Sequence, residues 1–83
     1  MPLRESETRV LLALLRDGET PIMSLTVTAK LGGNAVYNAI RWLSDRGLVS
    51  DQRETTQPRR RIVRLTEKGK QIASLLEQVE EHL

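Results

Sequence analysis

The sequence predicts a single α+β domain, mostly helical, with three helices, a β-hairpin and one further helix at the C-terminal end. Three observations lead to this fold class. The 83 residues leave room for one domain only. Apolar residues recur at helical spacing in four segments, and two short apolar segments flank a polar turn before the last of them. With 39% hydrophobic and 29% charged residues, the composition is typical of a folded chain.

Composition excludes several classes of protein. No cysteine is present, and the one histidine, His82, stands next to the last residue, so histidine triads and thiolate metal sites lack their side chains. We therefore expect neither an enzyme nor a protein that binds a metal or cofactor. The longest apolar stretch, residues 10–15, is too short to span a bilayer, and the first residues lack the apolar centre of a signal peptide. We expect a cytoplasmic protein without membrane contact.

Positive charge is concentrated in the middle of the chain. Residues 1–30 hold four basic and four acidic side chains, whereas residues 31–70 hold nine basic and four acidic ones. Residues 71–83 hold three acidic side chains and no lysine or arginine. A polyanion would therefore meet the middle of the chain and not its end.

The first predicted helix covers residues 6–17, with Ser6 as its N-cap and Gly18 as the residue that ends it. A turn or short extended piece follows at residues 20–21, and residues 22–23 are interpreted as a brief strand. The apolar stripe of this helix contains Val10, Leu11, Leu14 and Leu15.

Two further helices follow, joined by glycines. The first covers residues 24–31, where β-branched residues oppose helix formation. Residues 32–33 are both glycine and predict a tight turn, since glycine adopts positive φ at little cost. The clearest helix covers residues 34–46 and ends at Gly47. Its buried face contains Val36, Ala39, Ile40 and Leu43.

A hairpin and a last helix complete the chain. Strands are predicted over residues 48–53 and 59–65, with a polar turn at residues 55–58 between them. Thr66 begins the last helix, which runs to the C-terminus. Its apolar residues step by four, three and four positions, with Leu75 alongside, and form a two-heptad seam of Ile72, Leu76, Val79 and Leu83.

Two short helices joined by a glycine turn and followed by a hairpin form the winged helix-turn-helix arrangement. In such a fold the second of these helices is the recognition helix, and the hairpin is the wing. We assign residues 1–66 to a winged helix-turn-helix DNA-binding domain and residues 67–83 to an added C-terminal dimerisation helix.

Two segments resemble known regulators. Residues 34–49, NAVYNAIRWLSDRGLV, are similar to the recognition helix and following strand of PadR-like and MarR-like transcriptional regulators. Residues 58–69, PRRRIVRLTEKG, resemble the wing and the start of the last helix in the same families. Tyr37 and the basic wing are more similar to the PadR-like pattern. The resemblance covers roughly a third of the chain and implies a DNA-binding transcriptional regulator.

The recognition helix carries the candidate base readers. Its outward positions include Asn34, Asn38 and Arg41, and an asparagine can bond adenine and an arginine guanine with two hydrogen bonds each. Ala35 lies in the same N-terminal half, and Tyr37 would contact a phosphate or a thymine methyl group. The alternative is a solvated helix face in which Arg41 pairs with Asp45.

The wing and the second helix supply candidate backbone contacts. In the wing these are Gln57, Arg59, Arg60 and Arg61, although strand alternation prevents all three arginines from reaching one groove. Protection of an edge strand by charge is the alternative reading of the wing arginines. In the second helix the candidates for phosphate contact are Thr26, Thr28 and Lys30, and a solvated polar face would contain the same residues.

The apolar seam of the last helix favours a homodimer. An isolated chain of this length has a marginal core, and a second copy could cover the seam. The candidate interface comprises Ile72, Leu75, Leu76, Val79 and Leu83. The alternative is that the last helix packs back on its own domain, with Leu75 as a residue that could do so.

We therefore expect a homodimeric regulator that binds a palindromic site in double-stranded DNA, most simply as a repressor. Two alternatives remain open: an architectural or plasmid-maintenance DNA-binding protein, and a winged-helix module that binds another protein. The basic wing disfavours the second, because the centre of a protein-binding surface is more often apolar.

Overall fold

The computed structural model describes residues 3–53 and 61–82, in which four helices and three strands follow one another. Helix α1 (Glu5–Asp17) leads through strand β1 (Thr20–Pro21) into α2 (Ile22–Thr28) and α3 (Gly33–Asp45). Strands β2 (Val49–Arg53) and β3 (Arg61–Leu65) precede α4 (Glu67–Glu81). The predicted α+β, mostly helical winged helix-turn-helix fold is confirmed.

The sheet is antiparallel, with the strand order β1-β3-β2. Strands β2 and β3 pair from Val49 opposite Leu65 to Arg53 opposite Arg61, and they form the wing. Strand β1 adds two residues at the other edge of β3, with Thr20 opposite Val63. The proline of β1 is compatible with this place, because an edge strand has amides that need no partner.

The strand predicted at residues 22–23 is wrong, since Ile22 begins α2. Ile22 and Leu25 are both buried and stand three residues apart, which is helical and not strand spacing. Helix α1 also begins earlier than predicted. Arg4 is its N-cap residue, and its backbone N–H donates to the Glu7 carboxylate at 3.2 Å, so Ser6 lies inside the first turn.

Positive backbone φ occurs at Lys30 in the turn between α2 and α3, and not at the glycines expected there. Lys30 has φ 56°, whereas Gly32 has φ −70° and is the N-cap of α3. The prediction of a left-handed glycine turn at residues 32–33 is therefore wrong. At the ends of α1 and α3 the prediction is confirmed, because Gly18 and Gly47 have φ 77° and 71°.

The core lies between the helices and the inner face of the sheet. Side chains from α1, α2, α3 and β3 are fully buried there: Val10, Leu11, Leu14, Leu25, Val36, Leu43 and Val63. The predicted apolar faces of α1 and α3 therefore point inward. Among residues 3–53 and 61–82, no helix has the length and hydropathy needed to cross a membrane.

Helix α4 is anchored at its first turn, where Thr66 is the N-cap as predicted. The Thr66 hydroxyl accepts from the Gly69 N–H at 3.0 Å and donates to the Gly47 carbonyl at 2.6 Å. The Thr66 N–H donates to the Leu48 carbonyl at 3.1 Å. These bonds fix the start of α4 against the end of α3. Farther along, Ala73 is fully buried where α4 packs on α1.

Candidate nucleic-acid interface

Helix α3 presents a polar stripe to solvent. Asn34, Asn38, Arg41 and Asp45 are exposed, and their spacing of four, three and four residues places them on one side of the helix. The opposite side, with Val36 and Leu43, is buried. Tyr37 borders the stripe and is 44% exposed, while Ala35 is half-buried. The helix therefore has the orientation that the sequence predicted.

The N-terminus of α3 has no side-chain cap. Its N-cap residue is Gly32, no described side chain accepts a hydrogen bond there, and its first turn has no acidic residue. In contrast, α4 begins with the Thr66 cap and Glu67, and α1 has two acidic residues in its first turn. The first N–H groups of α3 have no partner within the helix and carry the positive end of its dipole. Such a helix end is suited to a phosphate oxygen.

The wing supplies a second basic surface beside α3. Arg53, at the end of β2, is exposed and lies opposite Arg61. On the other face of the hairpin, the Arg64 guanidinium donates to the Gln52 side-chain oxygen at 2.7 Å. The predicted contacts Gln57, Arg59 and Arg60, and the predicted turn at residues 55–58, lie outside the described residues.

Arg61 was expected to bind DNA, and the structure gives it a different partner. Its guanidinium forms an ion pair with the Asp51 carboxylate, and its Cζ lies 5.8 Å from the centre of the Tyr37 ring. Asp51 is opposite Val63, so the two charged residues are diagonal neighbours on the face that carries the core. Arg61 is thus held at the junction of wing and recognition helix. Finding this pair requires the register of the hairpin, which the sequence does not state.

The second helix offers fewer phosphate contacts than predicted. The Thr28 hydroxyl oxygen is buried and has no hydrogen-bond partner among the described residues, so a phosphate would need a rearranged side chain to reach it. The Thr26 hydroxyl is half-exposed and donates to the Met23 carbonyl at 2.8 Å. Lys30 is exposed at the turn before α3 and is the candidate that keeps an accessible side chain.

Two arginines that the sequence analysis did not single out hold this turn from α1. The Arg9 guanidinium donates to the Lys30 carbonyl at 3.2 Å, and that of Arg16 donates to the Thr28 carbonyl at 3.3 Å. These carbonyls lie at the end of α2 and in the turn after it, where backbone acceptors lack helical partners. The hydrogen bond to Asp17, together with its charge, raises the pKa of Arg16 above its ordinary value. No sequence signal marks such pairs, since the acceptors are distant backbone atoms.

An apolar groove of about 440 Å³ separates α4 from the end of α3. Trp42 lies in its wall, with the Arg46 guanidinium 3.6 Å from the centre of the Trp42 ring. The Lys68 ammonium donates to the Arg46 carbonyl at 3.4 Å, so two cations border the groove. In the described part of the chain, no three histidine, aspartate or glutamate side chains are grouped closely enough to hold a metal ion.

The four candidate interface residues of α4 that the structure describes fall into two pairs. Ile72 and Leu76 are half-buried and pack against the protein's own core. Leu75 and Val79 are each 57% exposed, which contradicts the alternative that Leu75 packs back on its own domain. The reason is that α4 contacts the domain through the small residues Gly69 and Ala73. Ile72 and Leu76 flank that contact. Leu83 lies outside the described residues.

A polar recognition helix beside a basic wing defines the DNA-binding domain of a winged-helix transcriptional regulator. The comparison with protein families agrees with this class, since the family described as "Sugar-specific transcriptional regulator TrmB" matches residues 1–68. The chain belongs to this family. A comparison with curated proteins finds no match.

Solved structures share the fold. Transcriptional regulator PA4135 has a TM-score of 0.88 and 28% identity, covering 96% of this chain and 59% of its own. A MarR family transcriptional regulator from Silicibacter pomeroyi DSS-3 has a TM-score of 0.80 and 28% identity, with coverage of 96% and 56%. The adhesin competence repressor of Streptococcus pyogenes has a TM-score of 0.85 at 23% identity, with coverage of 98% and 60%, and shows likeness of fold alone.

The chain spans three-fifths or less of the length of these three structures. The MarR-like part of the expected resemblance is confirmed, whereas these comparisons give the PadR-like part no support. The relatives are transcriptional regulators and not enzymes.

Proposed function

We propose that this domain binds double-stranded DNA sequence-specifically, with α3 in the major groove and the wing on the minor groove or the backbone. The observation that carries the proposal is the polar stripe of α3. The opposite side of this helix is apolar and buried, and the stripe begins at a helix end without a side-chain cap. A recognition helix needs this combination, because the core fixes its orientation while its N-terminal half meets the bases.

The proposed base readers are Asn34, Asn38 and Arg41, with Ala35 and Tyr37 beside them on the DNA-facing half of the helix. In the described part of the chain, Arg41 forms no ion pair with Asp45. This observation favours a guanidinium available to guanine over a solvated surface pair. Asp45 stands at the far end of the helix, where its charge would be farthest from the bases.

Backbone contacts would come from both sides of α3. On one side, Lys30 and the half-exposed Thr26 would meet phosphates next to the helix N-terminus. On the other side, Arg53 would join Gln57, Arg59 and Arg60 of the wing. Such contacts hold the register of the helix on the duplex and contribute to binding of any sequence.

We also propose a homodimer in which α4 of one copy lies in the groove of the other. Leu75 and Val79 are exposed beside that groove. The charges are complementary, since Arg46 and Lys68 border the groove while α4 carries the exposed acidic residues Glu77, Glu80 and Glu81. The TrmB match ends at residue 68, just inside α4, which supports a division into residues 1–66 and 67–83.

A two-fold dimer would read a palindrome. Two recognition helices about 34 Å apart would contact successive major grooves, and an occupied promoter would be repressed.

Selection of bound sequences from random duplexes at physiological salt tests the proposal. We expect a palindromic consensus with half-sites one helical turn apart. A single half-site would contradict the dimer, and weak enrichment without a consensus would indicate an architectural DNA-binding protein. No retained duplex would overturn the proposal and favour a module that binds another protein.

A further inference from the structure

We propose that Asp51 is a specificity-determining residue, which occupies the guanidinium of Arg61 and keeps it from binding DNA phosphate. The inference rests on the proposed DNA binding and concerns the same surface. It assigns an acidic residue of the wing a role in DNA recognition, and it removes Arg61 from the set of phosphate contacts.

The ion pair lies where the wing meets the recognition helix. Asp51 and Arg61 have side-chain exposures of 23% and 38%, so both are partly shielded from water. With Tyr37, Arg41 and Asp45 they line a polar cavity of about 220 Å³ between α3 and the hairpin. The pair is therefore next to Arg41, the proposed guanine reader.

Phosphate and carboxylate compete for the same guanidinium. In this structure Arg61 donates to Asp51 Oδ2 through Nη2, so a phosphate would have to displace the carboxylate from that nitrogen or bind beside its negative charge. A phosphate contact would add affinity for every DNA sequence, because all duplexes carry the same backbone. Occupying Arg61 internally therefore lowers non-specific binding and leaves the readers of α3 unchanged, which raises the ratio of specific to non-specific affinity.

Arg53 gives the contrast within the same hairpin. It lies directly opposite Arg61 in the strand register and is exposed. Among the described residues it forms no ion pair. Among the described residues, two arginines at one level of the wing thus differ in whether they have a carboxylate partner, and Asp51 makes the difference.

The test measures affinity for the selected site and for a random duplex over a range of salt concentrations. The variants are Arg61→Gln, Asp51→Asn and the double variant. We expect Arg61→Gln to leave the salt slope unchanged. Asp51→Asn should steepen the slope by about 0.9, the value for one added phosphate contact, and should raise random-duplex affinity several-fold. The double variant should return to the wild-type slope.

Asp45→Asn is the matched control, since it removes one negative charge from the same cavity without releasing an arginine. Its effect on the random duplex should be smaller and should persist in an Arg61→Gln background. Thermal unfolding of each variant checks the fold. Should Asp51→Asn not fold, a flattened slope in Arg61→Gln would still overturn the inference.

Three results would overturn the inference. Arg61→Gln alone could flatten the slope by about one unit, which would make Arg61 a phosphate contact. Asp51→Asn could leave random-duplex affinity unchanged. The double variant could keep the raised affinity, in which case Asp51 acts by its own charge. If the wild-type protein binds no duplex, the proposed function itself fails, and this result is distinct from the other three.

Discussion

Gly69 and the carbonyl oxygen of Leu48 lie so close together that a β-carbon at position 69 would overlap that oxygen. The contact joins the first turn of α4 to the end of the helix-turn-helix unit, and one turn later the small residue Ala73 is fully buried. The spacing between α4 and the rest of the domain is set by these two small residues.

Gly69→Ala should destabilise the protein by about 2 kcal/mol. Overlap with a backbone atom that cannot rotate away costs about 3 kcal/mol, and the better helix propensity of alanine returns about 1 kcal/mol. Denaturant unfolding at fixed protein concentration measures the change. Gly33→Ala is the control, because a β-carbon there meets no atom within 4 Å. A Gly69→Ala variant as stable as wild type would contradict the packing described for α4.

Arg41→Ala should weaken binding to the selected site by about 1–3 kcal/mol while changing random-duplex affinity little, since a bidentate arginine–guanine contact discriminates between bases. Competition binding with both duplexes gives the two values. Arg64→Ala removes the same charge from the outward face of the wing and should affect neither. Equal losses on both duplexes would make Arg41 a phosphate contact.

Replacing Arg59 and Arg60 together by alanine should weaken binding to every sequence. The salt slope should flatten by about 0.9 for each phosphate that the variant no longer binds. Binding titrations across salt concentrations provide the slope, and Lys70→Ala, on the exposed side of α4, serves as the charge control. An unchanged slope would assign these arginines to protection of the sheet edge.

Replacing Leu75 and Val79 together by glutamate should convert the dimer to a monomer with much lower affinity for a palindromic site. The substitutions bring like charges together at the proposed two-fold interface. Both residues are exposed in the single chain, so its folding should be little affected, unlike that of a Leu76 variant.

Sedimentation velocity and binding to the full site measure these two outcomes. Lys70→Glu changes the net charge by the same amount on the other side of α4 and should remain dimeric. A double-glutamate variant that stays dimeric would move the interface elsewhere. A monomer that binds the full site as tightly as wild type would refute reading of a palindrome by a dimer.

Periodicity predicted α3 well because the domain buries one whole side of it, so Val36 and Leu43 carry a clear signal. It failed at Ile22, where two apolar residues suit a strand and a helix equally and only the three-dimensional neighbours decide. A heptad pattern also could not predict that Leu76 is half-buried while Leu75 is exposed. The small residues Gly69 and Ala73 were the local signal for the packed side of α4.

Charged residues were harder to place than apolar ones. Arg61 and Asp51 meet because of strand register, and Arg9 reaches the Lys30 carbonyl across the fold, 21 positions along the chain. A run of arginines in the sequence gives the total charge, but it does not show which of these arginines form ion pairs within the fold. The exposed stripe of α3 was predictable because exposure there follows from the burial of the opposite side.

The uncapped start of α3 links folding to ligand binding. In the free protein the first amides after Gly32 have no side-chain cap among the described residues, so the first turn should open locally more often than a capped one. In the proposed complex a DNA phosphate takes the place of the missing cap. The duplex would then supply the hydrogen-bond acceptor that the first turn of α3 lacks. Amide hydrogen exchange at Asn34 and Ala35 should therefore slow when DNA is bound, without a matching change in the exchange of core amides.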